Sequence, residues 1–369
     1  MKFIYLVSLL GISFLTEAQQ AFKTKNVFII TTDGFRWQEV FTGADSSLIN
    51  SEKYTLDTAF AKDMYWDACV ETRRKKLMPF FWNVIAKRGQ LYGNRLFNNK
   101  MNVKNIYKIS YPGYNEILTG YADINLIPNL RVNNRNHNIL EYLNRQPAYT
   151  GKVAAFTSWN VFPFILNEER SKLPVNSGYE ILEDDSSATS NLINQVQESI
   201  AQKQHTRYDM LTCLAAGEYI KAQHPKVLFL GLGETDAAAH SGRYDLYLQQ
   251  ASLVDKMIAD LWYRIQTDPF YKDNTTFIIT TDHGRGNKMQ SWNTHNPFIK
   301  GSGETWLAII GPDTIAAGEI KDAQQTYASQ VTATISMLLG EKFKAPHPVG
   351  KPMVLPASAI DKSTVVKIR

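Results

Sequence analysis

Short, almost continuously apolar runs alternate along this chain with longer segments whose apolar residues recur at helical spacing. The runs of strand length cover residues 26–32, 153–157, 226–232, 276–281 and 305–310. The helical patterns cover residues 77–88, 188–202, 208–223, 246–266 and 327–339. This alternation predicts an α/β fold in which helices flank both faces of a mostly parallel central sheet. In such sheets, functional side chains gather at the carboxyl ends of the strands.

The amino-terminal segment has a different pattern, which is typical of an export signal. Lys2 precedes an apolar stretch from Phe3 to Leu15, and the small residue Ala18 stands at a suitable cleavage position. A membrane anchor is the alternative, but about 13 apolar residues are too few for a bilayer, which needs roughly 20. We therefore predict a signal peptide over residues 1–18, a secreted or periplasmic mature chain, and no membrane anchor after cleavage.

The rest of the chain, residues 19–369, is long enough for one large domain with its own core. Polar stretches near residues 43–74 and 160–187 are predicted to be insertions, the second contributing to a small cap. The formal net charge of +5 favours an anionic substrate but is too small and dispersed for a nucleic-acid-binding surface. Cys69 and Cys213 are the only cysteines, which excludes a thiolate-rich metal site. Whether they pair is left open.

Candidate metal ligands follow two of the predicted strands. Asp236 and His240 are four residues apart, so on a helix both side chains leave the same face and can share a cation. Asp282 and His283 come directly after a strand, and His295 follows before the next one. Carboxylate and imidazole groups are the oxygen and nitrogen donors that zinc-like ions prefer. The pattern therefore predicts a metal centre.

Two further residues bear on this centre. Asp33 ends the first predicted strand just before Gly34, where a carboxylate can reach a metal at the sheet edge. Asp-Gly also marks plain turns, so this position alone is weak. His347, between two prolines, competes with His295 for a place among the ligands. His295 is preferred because it lies between the turn after one strand and the start of the next.

A serine supplies the candidate nucleophile. Ser110 precedes Pro112 and Gly113, which suit a bend entering a helix whose free amide groups would favour an anion. Metal coordination lowers the pKa of a serine hydroxyl and so supplies an alkoxide. The alternative role for Ser110 is to cap that helix. Two metal ions with a nucleophile between them would indicate hydrolysis of a phosphate ester or a close relative of one.

Together these motifs resemble those of the alkaline phosphatase superfamily. The series is Asp33-Gly34-Phe35-Arg36, Ser110 with Leu118-Thr119-Gly120, Asp236-x-x-x-His240, Asp282-His283-Gly284 and His295. Within the superfamily, the chain is most similar to the type I phosphodiesterase and nucleotide pyrophosphatase branch. The resemblance implies an alkaline-phosphatase-like fold and a site for two divalent metal ions, expected to be Zn²⁺. It also implies a phospho-serine intermediate at Ser110, which would lie between the ions and face both.

The resemblance further assigns the ligands and a phosphate contact. Six side chains would hold the ions, three for each: Asp236, His240 and His295 for one, and Asp33, Asp282 and His283 for the other. Asn129 lies where relatives have a phosphate-binding asparagine. Three nearby asparagines are alternatives for that role: Asn125, Asn133 and Asn134.

The chain also departs from its relatives. Diesterases commonly have threonine as nucleophile followed by Pro-Asn, whereas Ser110 is followed by Tyr-Pro-Gly. The arginine of a sulfatase motif would fall at Tyr114, which makes formylglycine chemistry improbable. Residues 158–162 are uncharged and aromatic where some monoesterases carry cations, which favours a diester or a large apolar leaving group. Tyr111, Tyr114 and Trp159 are candidates to stack on an aromatic leaving group, although ordinary packing is the better explanation for each.

These observations predict an exported two-zinc phosphoric ester hydrolase that acts on a small phosphate ester, either a monoester or a diester. A sulfatase or phosphonate hydrolase on the same scaffold is the first alternative. A non-catalytic periplasmic protein that binds a metal or phosphate is the second. The physiological substrate and the oligomeric state are left open by the sequence.

Overall fold

The computed structural model describes residues 22–126, 129–183 and 187–356, so the predicted signal peptide lies outside the described residues. The strands are β1 Asn26–Thr32, β2 Gln90–Tyr92, β3 Asn99–Asn102, β4 Val153–Thr157, β5 Val175–Ser177, β6 Val227–Leu232, β7 Thr275–Thr280, β8 Glu304–Thr305, β9 Leu307–Ile310, β10 Gly318–Glu319 and β11 Gln324–Tyr327. The α-helices are α1 Trp37–Thr42, α2 Ser46–Ile49, α3 Thr58–Tyr65, α4 Val70–Leu77, α5 Ala86–Arg88, α6 Ser110–Thr119, α7 Ile139–Asn144, α8 Phe162–Ile165, α9 Glu168–Ser171, α10 Ala188–Ser199, α11 Asp209–Gln223, α12 Glu234–His240, α13 Tyr244–Thr267 and α14 Val331–Leu338. A π-helical turn covers Phe81–Ile85, and 3₁₀ turns cover Arg95–Phe97 and Ala328–Gln330.

The central sheet of the described chain has eight strands in the order β10-β2-β9-β7-β1-β6-β4-β5. β1 pairs in parallel with β6 and β7, and β4 pairs in parallel with β6 and β5. β9 runs antiparallel to both β7 and β2. A smaller sheet has the order β11-β3-β8. The predicted α/β class and mostly parallel sheet are confirmed.

Two hydrophobic clusters cover the two faces of the sheet. Along β1, Phe28 and Ile30 pack into one cluster, while Val27 and Ile29 pack into the other. Residues of α11 and α13 belong to the first cluster, and residues of α6, α7 and α14 belong to the second. A strand that is buried on both faces has a continuous rather than an alternating apolar run, which is why the central strands are readable from the sequence. Helices on both faces are likewise confirmed.

The helix predicted over residues 77–88 is confirmed for residues 79–88 but is interrupted at Met78. α4 ends at Leu77, and helical backbone resumes at Pro79 and continues through the π-helical turn to the end of α5 at Arg88. Met78 has φ −132° and ψ 72°, outside the helical region. It precedes Pro79, whose ring disfavours helical backbone in the residue before it. The apolar spacing continues past this break because both segments pack on the same core.

The predicted strand over residues 305–310 is divided between the two sheets. Thr305 belongs to β8 of the small sheet, and β9 of the central sheet begins at Leu307. Trp306 lies between them, is buried, and donates from Nε1 to the carbonyl of Phe35 at 2.9 Å. The chain therefore passes from one sheet to the other at this tryptophan.

The two stretches predicted as insertions contain regular structure. Residues 43–74 include α2 and α3, whose N-termini are capped by the side chains of Asp45 and Asp57. Residues 160–187 include α8, α9 and the edge strand β5, which pairs with β4. These elements are too short to show an apolar period of their own.

None of the helices in the described ranges combines the length and the apolar character that crossing a bilayer requires. Cys69 is exposed and Cys213 is partly buried, and both are free thiols.

Candidate metal centre and nucleophile

Three neighbouring strands bring the predicted ligands to one edge of the sheet. In the parallel register, Thr32 of β1 lies beside Leu232 of β6, and Thr31 lies beside Thr280 of β7. All three strands therefore end at the same level. The segments that follow them carry Asp33, then α12 with its acidic first turn, and then the Asp282-His283 pair.

Two glycines let these segments approach closely. Gly34 has φ +56°, and a Cβ there would lie 2.9 Å from Cε1 of His283 and from Nη2 of Arg285. A Cβ at Gly113, on α6, would lie 2.3 Å from the backbone oxygen of Asp282. Both contacts are too short for any side chain, so glycine is needed at both positions.

One ligand group consists of Asp236, His240 and His295. Asp236 and His240 lie one helical turn apart on α12, with His240 Nε2 at 3.4 Å from Asp236 Oδ1. His295 Nε2 lies 3.0 Å from His240 Nε2 and 3.6 Å from Asp236 Oδ1. The three donor atoms are therefore close enough to share one ion.

A second group surrounds His283. Its Nε2 lies 3.3 Å from Asp33 Oδ1 and 3.5 Å from Asp282 Oδ2. Asp33, Asp236 and His283 also have ligand atoms near enough to hold one ion, so Asp236 belongs to both groups. Residue spacing did not predict that sharing.

Ser110 is the first residue of α6 and is buried beside the second group. Its Oγ lies 3.4 Å from Asp33 Oδ1 and 3.3 Å from His283 Nε2. The N-cap residue of α6 is Ile109, and the hydroxyl of Ser110 bonds to none of the helix amides. The alternative role as a helix cap is therefore wrong, and the hydroxyl faces the candidate ligands.

Backbone carbonyls fix the orientation of two of the imidazoles. His283 Nδ1 lies 2.9 Å from the carbonyl of Gly284, and His295 Nδ1 lies 3.2 Å from the carbonyl of Lys108. A carbonyl can only accept, so each Nδ1 carries a proton and donates. Each Nε2 is then the atom that faces the other ligands, as in metal-binding histidines held by a hydrogen bond on the far nitrogen.

Protonation differs between the two groups. Burial and the neighbouring Asp33 raise the pKa of Asp282 to about 8. Burial opposes the charge on His283, but Asp282 and Asp33 more than offset it and raise the pKa of this imidazole to about 9. Burial lowers the pKa of His240 and His295, and the positive charge of His283 adds to that effect. His240 and His295 are therefore neutral near pH 7.

The donor set fits divalent metal ions. Imidazole nitrogens and carboxylate oxygens converge in both groups, as such ions require. Asp282 Oδ2 is buried and has no hydrogen-bond partner among the described residues. Its charged neighbour is His283 Nε2 at 3.5 Å, too long for a good hydrogen bond, and a coordinated cation would supply the missing partner.

Sequence reasoning missed the structural role of two residues, which are Tyr114, considered only for stacking, and Arg285. Tyr114 donates from its hydroxyl to Asp33 Oδ2 at 3.0 Å, and its ring packs on Phe162. Its position one turn after Ser110 on the predicted helix was the available signal. Tyr111 and Tyr114 are both buried, so neither can stack on a leaving group.

Arg285 is the other missed residue. It is fully buried and donates from Nε to the carbonyl of Gly34 and from Nη1 to that of Asn293, both at 3.0 Å. Its Nη2 contacts the carboxylate of Asp236. Burial lowers the pKa of this guanidinium to about 9. Arg285 thus ties the turn after β1 to α12 and to the loop that precedes His295.

The asparagines near the nucleophile have distinct partners. Asn129 Oδ1 accepts from the backbone N–H of Tyr111 at 2.9 Å, next to Ser110. Asn133 and Asn134 donate to Glu169 and Asn115 respectively. His347, the competitor of His295, instead contacts the carbonyl of His137 and stacks on Tyr121.

The sequence matches the Metalloenzyme superfamily model over residues 129–299, whereas no curated protein matches it. Wild-type alkaline phosphatase PafA has a similar structure, with a TM-score of 0.56 and 10% identity, over 90% of this chain and 98% of PafA. The phosphonate monoester hydrolase of Agrobacterium radiobacter is also similar, with a TM-score of 0.53 and 14% identity, over 86% of this chain and 74% of that protein. Ps i-CgsB in complex with k-i-k-neocarrahexaose has a TM-score of 0.50 and 14% identity, over 87% of this chain and 73% of that protein. The resemblance to the alkaline phosphatase superfamily is confirmed. The nucleotide pyrophosphatase branch stays a prediction.

In this alkaline-phosphatase-like chain, the helix that carries Asp236 and His240 is capped from elsewhere. The N-cap residue of α12 is Gly233, which has no side chain to cap the helix. Asp209 accepts from the N–H of Gly233 at 2.8 Å and from that of Glu234 at 3.0 Å. In return, Glu234 accepts from the N–H of Asp209, the first residue of α11, at 2.7 Å. The N-termini of the two helices thus cap each other beside the candidate ligands.

Replacing Asp209 with alanine is expected to lower the free energy of unfolding by about 1–2 kcal/mol, the value of a lost cap. It should also weaken zinc binding about tenfold, because α12 carries two candidate ligands. Loss of a residue that holds metal ligands in place typically lowers the metal affinity by at least about that factor. Thermal unfolding and zinc titration measure the two effects. Asp57→Ala is the matched control, since Asp57 caps α3 through the N–H of Phe60 at 2.9 Å. The same zinc affinity in both variants would contradict the positioning role.

Proposed function

We propose that this protein is a metal-dependent phosphoric ester hydrolase with Ser110 as nucleophile. The observation that carries the proposal is the position of Ser110 Oγ, within 3.4 Å of both Asp33 Oδ1 and His283 Nε2. A serine that served only to begin a helix would place its oxygen on the helix amides. Here the oxygen faces the groups that are best suited to hold a cation.

Two divalent ions, which we propose are Zn²⁺, complete this site. Asp236, His240 and His295 would hold one, and Asp33, Asp282 and His283 would hold the other. When bound, such ions lower the pKa of a coordinated hydroxyl and stabilise negative charge on phosphate and leaving-group oxygens. The unpaired Oδ2 of Asp282 supports its place in the second set.

The chain's own groups then act on the phosphorus. Ser110 Oγ gives up its proton to solvent and forms a bond to phosphorus, and the ester oxygen leaves with the electron pair of the broken P–O bond and takes up a proton from solvent as the free alcohol. Water next attacks the phosphoserine and loses a proton, while Ser110 Oγ leaves and regains one. The product is phosphate from a monoester and a phosphate monoester from a diester. The backbone N–H of Tyr111, at the N-terminus of α6, would donate to a phosphate oxygen. Asn129 Oδ1 accepts from that N–H at 2.9 Å, and the side-chain amide N–H of Asn129 would donate to the phosphate when the substrate replaces this hydrogen bond.

A panel of nitrophenyl esters tests the proposal. The zinc-loaded chain should hydrolyse phosphate monoesters or diesters, lose that activity to a chelator, and release negligible sulfate from the sulfate ester. Tyr114 disfavours a sulfatase, because the residue at the arginine position of that motif is buried against Asp33. Sulfate release with modified Ser110 would identify a sulfatase. Faster turnover of a phosphonate monoester than of the phosphate esters would identify a phosphonate hydrolase. Metal binding without turnover of any ester would identify a non-catalytic binding protein.

Export is part of the proposal as well. It is supported by the sequence of residues 1–18 alone. A mature chain that begins at Gln19 is the expected product.

A further inference from the structure

Three loops surround Ser110 and are held to one another by hydrogen bonds. In the loop before α6, the carbonyl of Lys108 accepts from His295 Nδ1 at 3.2 Å, and Lys108 Nζ donates to the carbonyl of Pro297 at 3.0 Å. Tyr107, in the same loop, donates from its hydroxyl to the carbonyl of Ile124 at 2.6 Å. These bonds join the loop before α6, the loop after α6 and the loop that carries His295 into one surface.

Each of these loops exposes a large apolar side chain. Ile106 is 55% exposed, Ile124 60%, Leu130 53% and Phe298 95%. We refer to these four residues as the apolar rim. Phe298 lies three residues after His295, and Leu130 directly follows Asn129, so the rim adjoins the proposed site. Single exposed apolar residues are ordinary, but a set that borders a site marks a surface for binding.

The same loops are strongly cationic. Five basic residues lie in them: Lys104, Lys108, Arg131, Arg135 and Lys300. Asp123 is the one acid in residues 104–109, 121–136 and 295–303, and it is buried and paired with Arg135 at 2.8 Å. Apolar side chains among cations are typical of surfaces that insert into the boundary of an anionic bilayer.

We infer that the substrate is a phosphate ester of a long-chain apolar alcohol, presented at an anionic lipid surface against the apolar rim. This inference rests on the proposed function and names its substrate class. The rim would hold the first part of the alcohol chain while the phosphate reaches Ser110, and the cations would hold the neighbouring anionic headgroups. Two of the three candidates for stacking on a base, Tyr111 and Tyr114, are buried and cannot stack on one, which leaves Trp159 alone for that role in a nucleotide site.

The test compares two substrates in the zinc-loaded chain. One is a soluble nitrophenyl phosphate ester, and the other is a hexadecyl phosphate ester in vesicles of phosphatidylcholine with one third phosphatidylglycerol. Phe298→Ser and Ile124→Ser change two different loops. In each variant, the ratio of kcat/KM for the vesicle ester to that for the soluble ester should fall about tenfold, since burying one large apolar side chain changes a binding constant by that much. Co-sedimentation with the vesicles should fall in parallel.

Tyr263→Ser is the matched control. Tyr263 is 72% exposed and lies near the far end of α13, about 28 Å along the helix axis from Tyr244. Its ratio should stay that of the wild type, and zinc content is measured in every variant. If both rim variants hydrolyse the soluble ester and keep the wild-type ratio, this inference is overturned but the proposed function stands. The inference is also overturned if the rim substitutions change only self-association, measured by size exclusion. If the wild type hydrolyses none of the esters, the proposed function is overturned as well.

Discussion

Ser110→Ala is expected to lower kcat/KM by about 10³-fold or more, while the zinc content stays at that of the wild type. The reason is that Ser110 Oγ would form the bond to phosphorus, and the alanine methyl group cannot. Asp33 and His283, which lie within 3.4 Å of that oxygen, keep other supports in the variant, since Asp33 accepts from Tyr114 and His283 donates to the carbonyl of Gly284. Steady-state kinetics and metal analysis on the same preparation measure the two quantities.

Ser110→Thr is the matched control, because threonine keeps the hydroxyl and adds one methyl group. This variant should retain measurable turnover. In a separate experiment, the wild type is quenched rapidly during turnover, and its mass should then be higher by one phosphoryl group located at Ser110. A non-catalytic binding protein would instead keep its full ligand affinity in Ser110→Ala. Wild-type turnover in the alanine variant would rule out the covalent mechanism.

The central strands could be predicted from the sequence almost to the residue. The predicted strand over residues 226–232 is β6, Val227–Leu232, and that over residues 276–281 is β7, Thr275–Thr280. Both strands are buried on two faces, so nearly all of their residues are apolar and the run is easy to recognise in the sequence. The short strand β2, Gln90–Tyr92, has no such run. It forms by pairing with β9, more than two hundred residues away, and local sequence does not show that pairing.

The candidate site divides in the same way. Asp236 with His240, and Asp282 with His283, are recognisable because local spacing alone brings their side chains together. Contacts between distant parts of the chain carry no such signal: Arg285 bonds to Gly34, and Asp209 caps α12. Sequence spacing therefore predicts which residues are candidate ligands, while the residues that hold those ligands in place emerge only from the fold.

Zinc binding is expected to strengthen steeply as the pH rises from 6 to 9. In the metal-free protein, the pKa of Asp282 is raised to about 8 and that of His283 to about 9, and the two groups titrate as a pair that holds at least one proton near pH 7. Coordination requires the unprotonated groups, and each displaced proton makes the affinity about tenfold stronger per pH unit. The affinity of the second group should therefore rise at least about tenfold per pH unit from pH 6 to pH 8 and level off at higher pH.

The first group behaves differently because the pKa of both His240 and His295 is lowered. Their imidazoles are already neutral at pH 7, so this group should fill first and with little pH dependence. Zinc titration against a competing chelator at pH 6, 7, 8 and 9 would resolve the two steps. In Asp282→Asn one proton fewer is displaced, and the loss of that carboxylate also lowers the pKa of His283, so the second step should become clearly less dependent on pH. A second step that is independent of pH in the wild type would remove Asp282 and His283 from the ligand set. Because the proposed mechanism uses both ions, activity should follow the second step and rise toward alkaline pH.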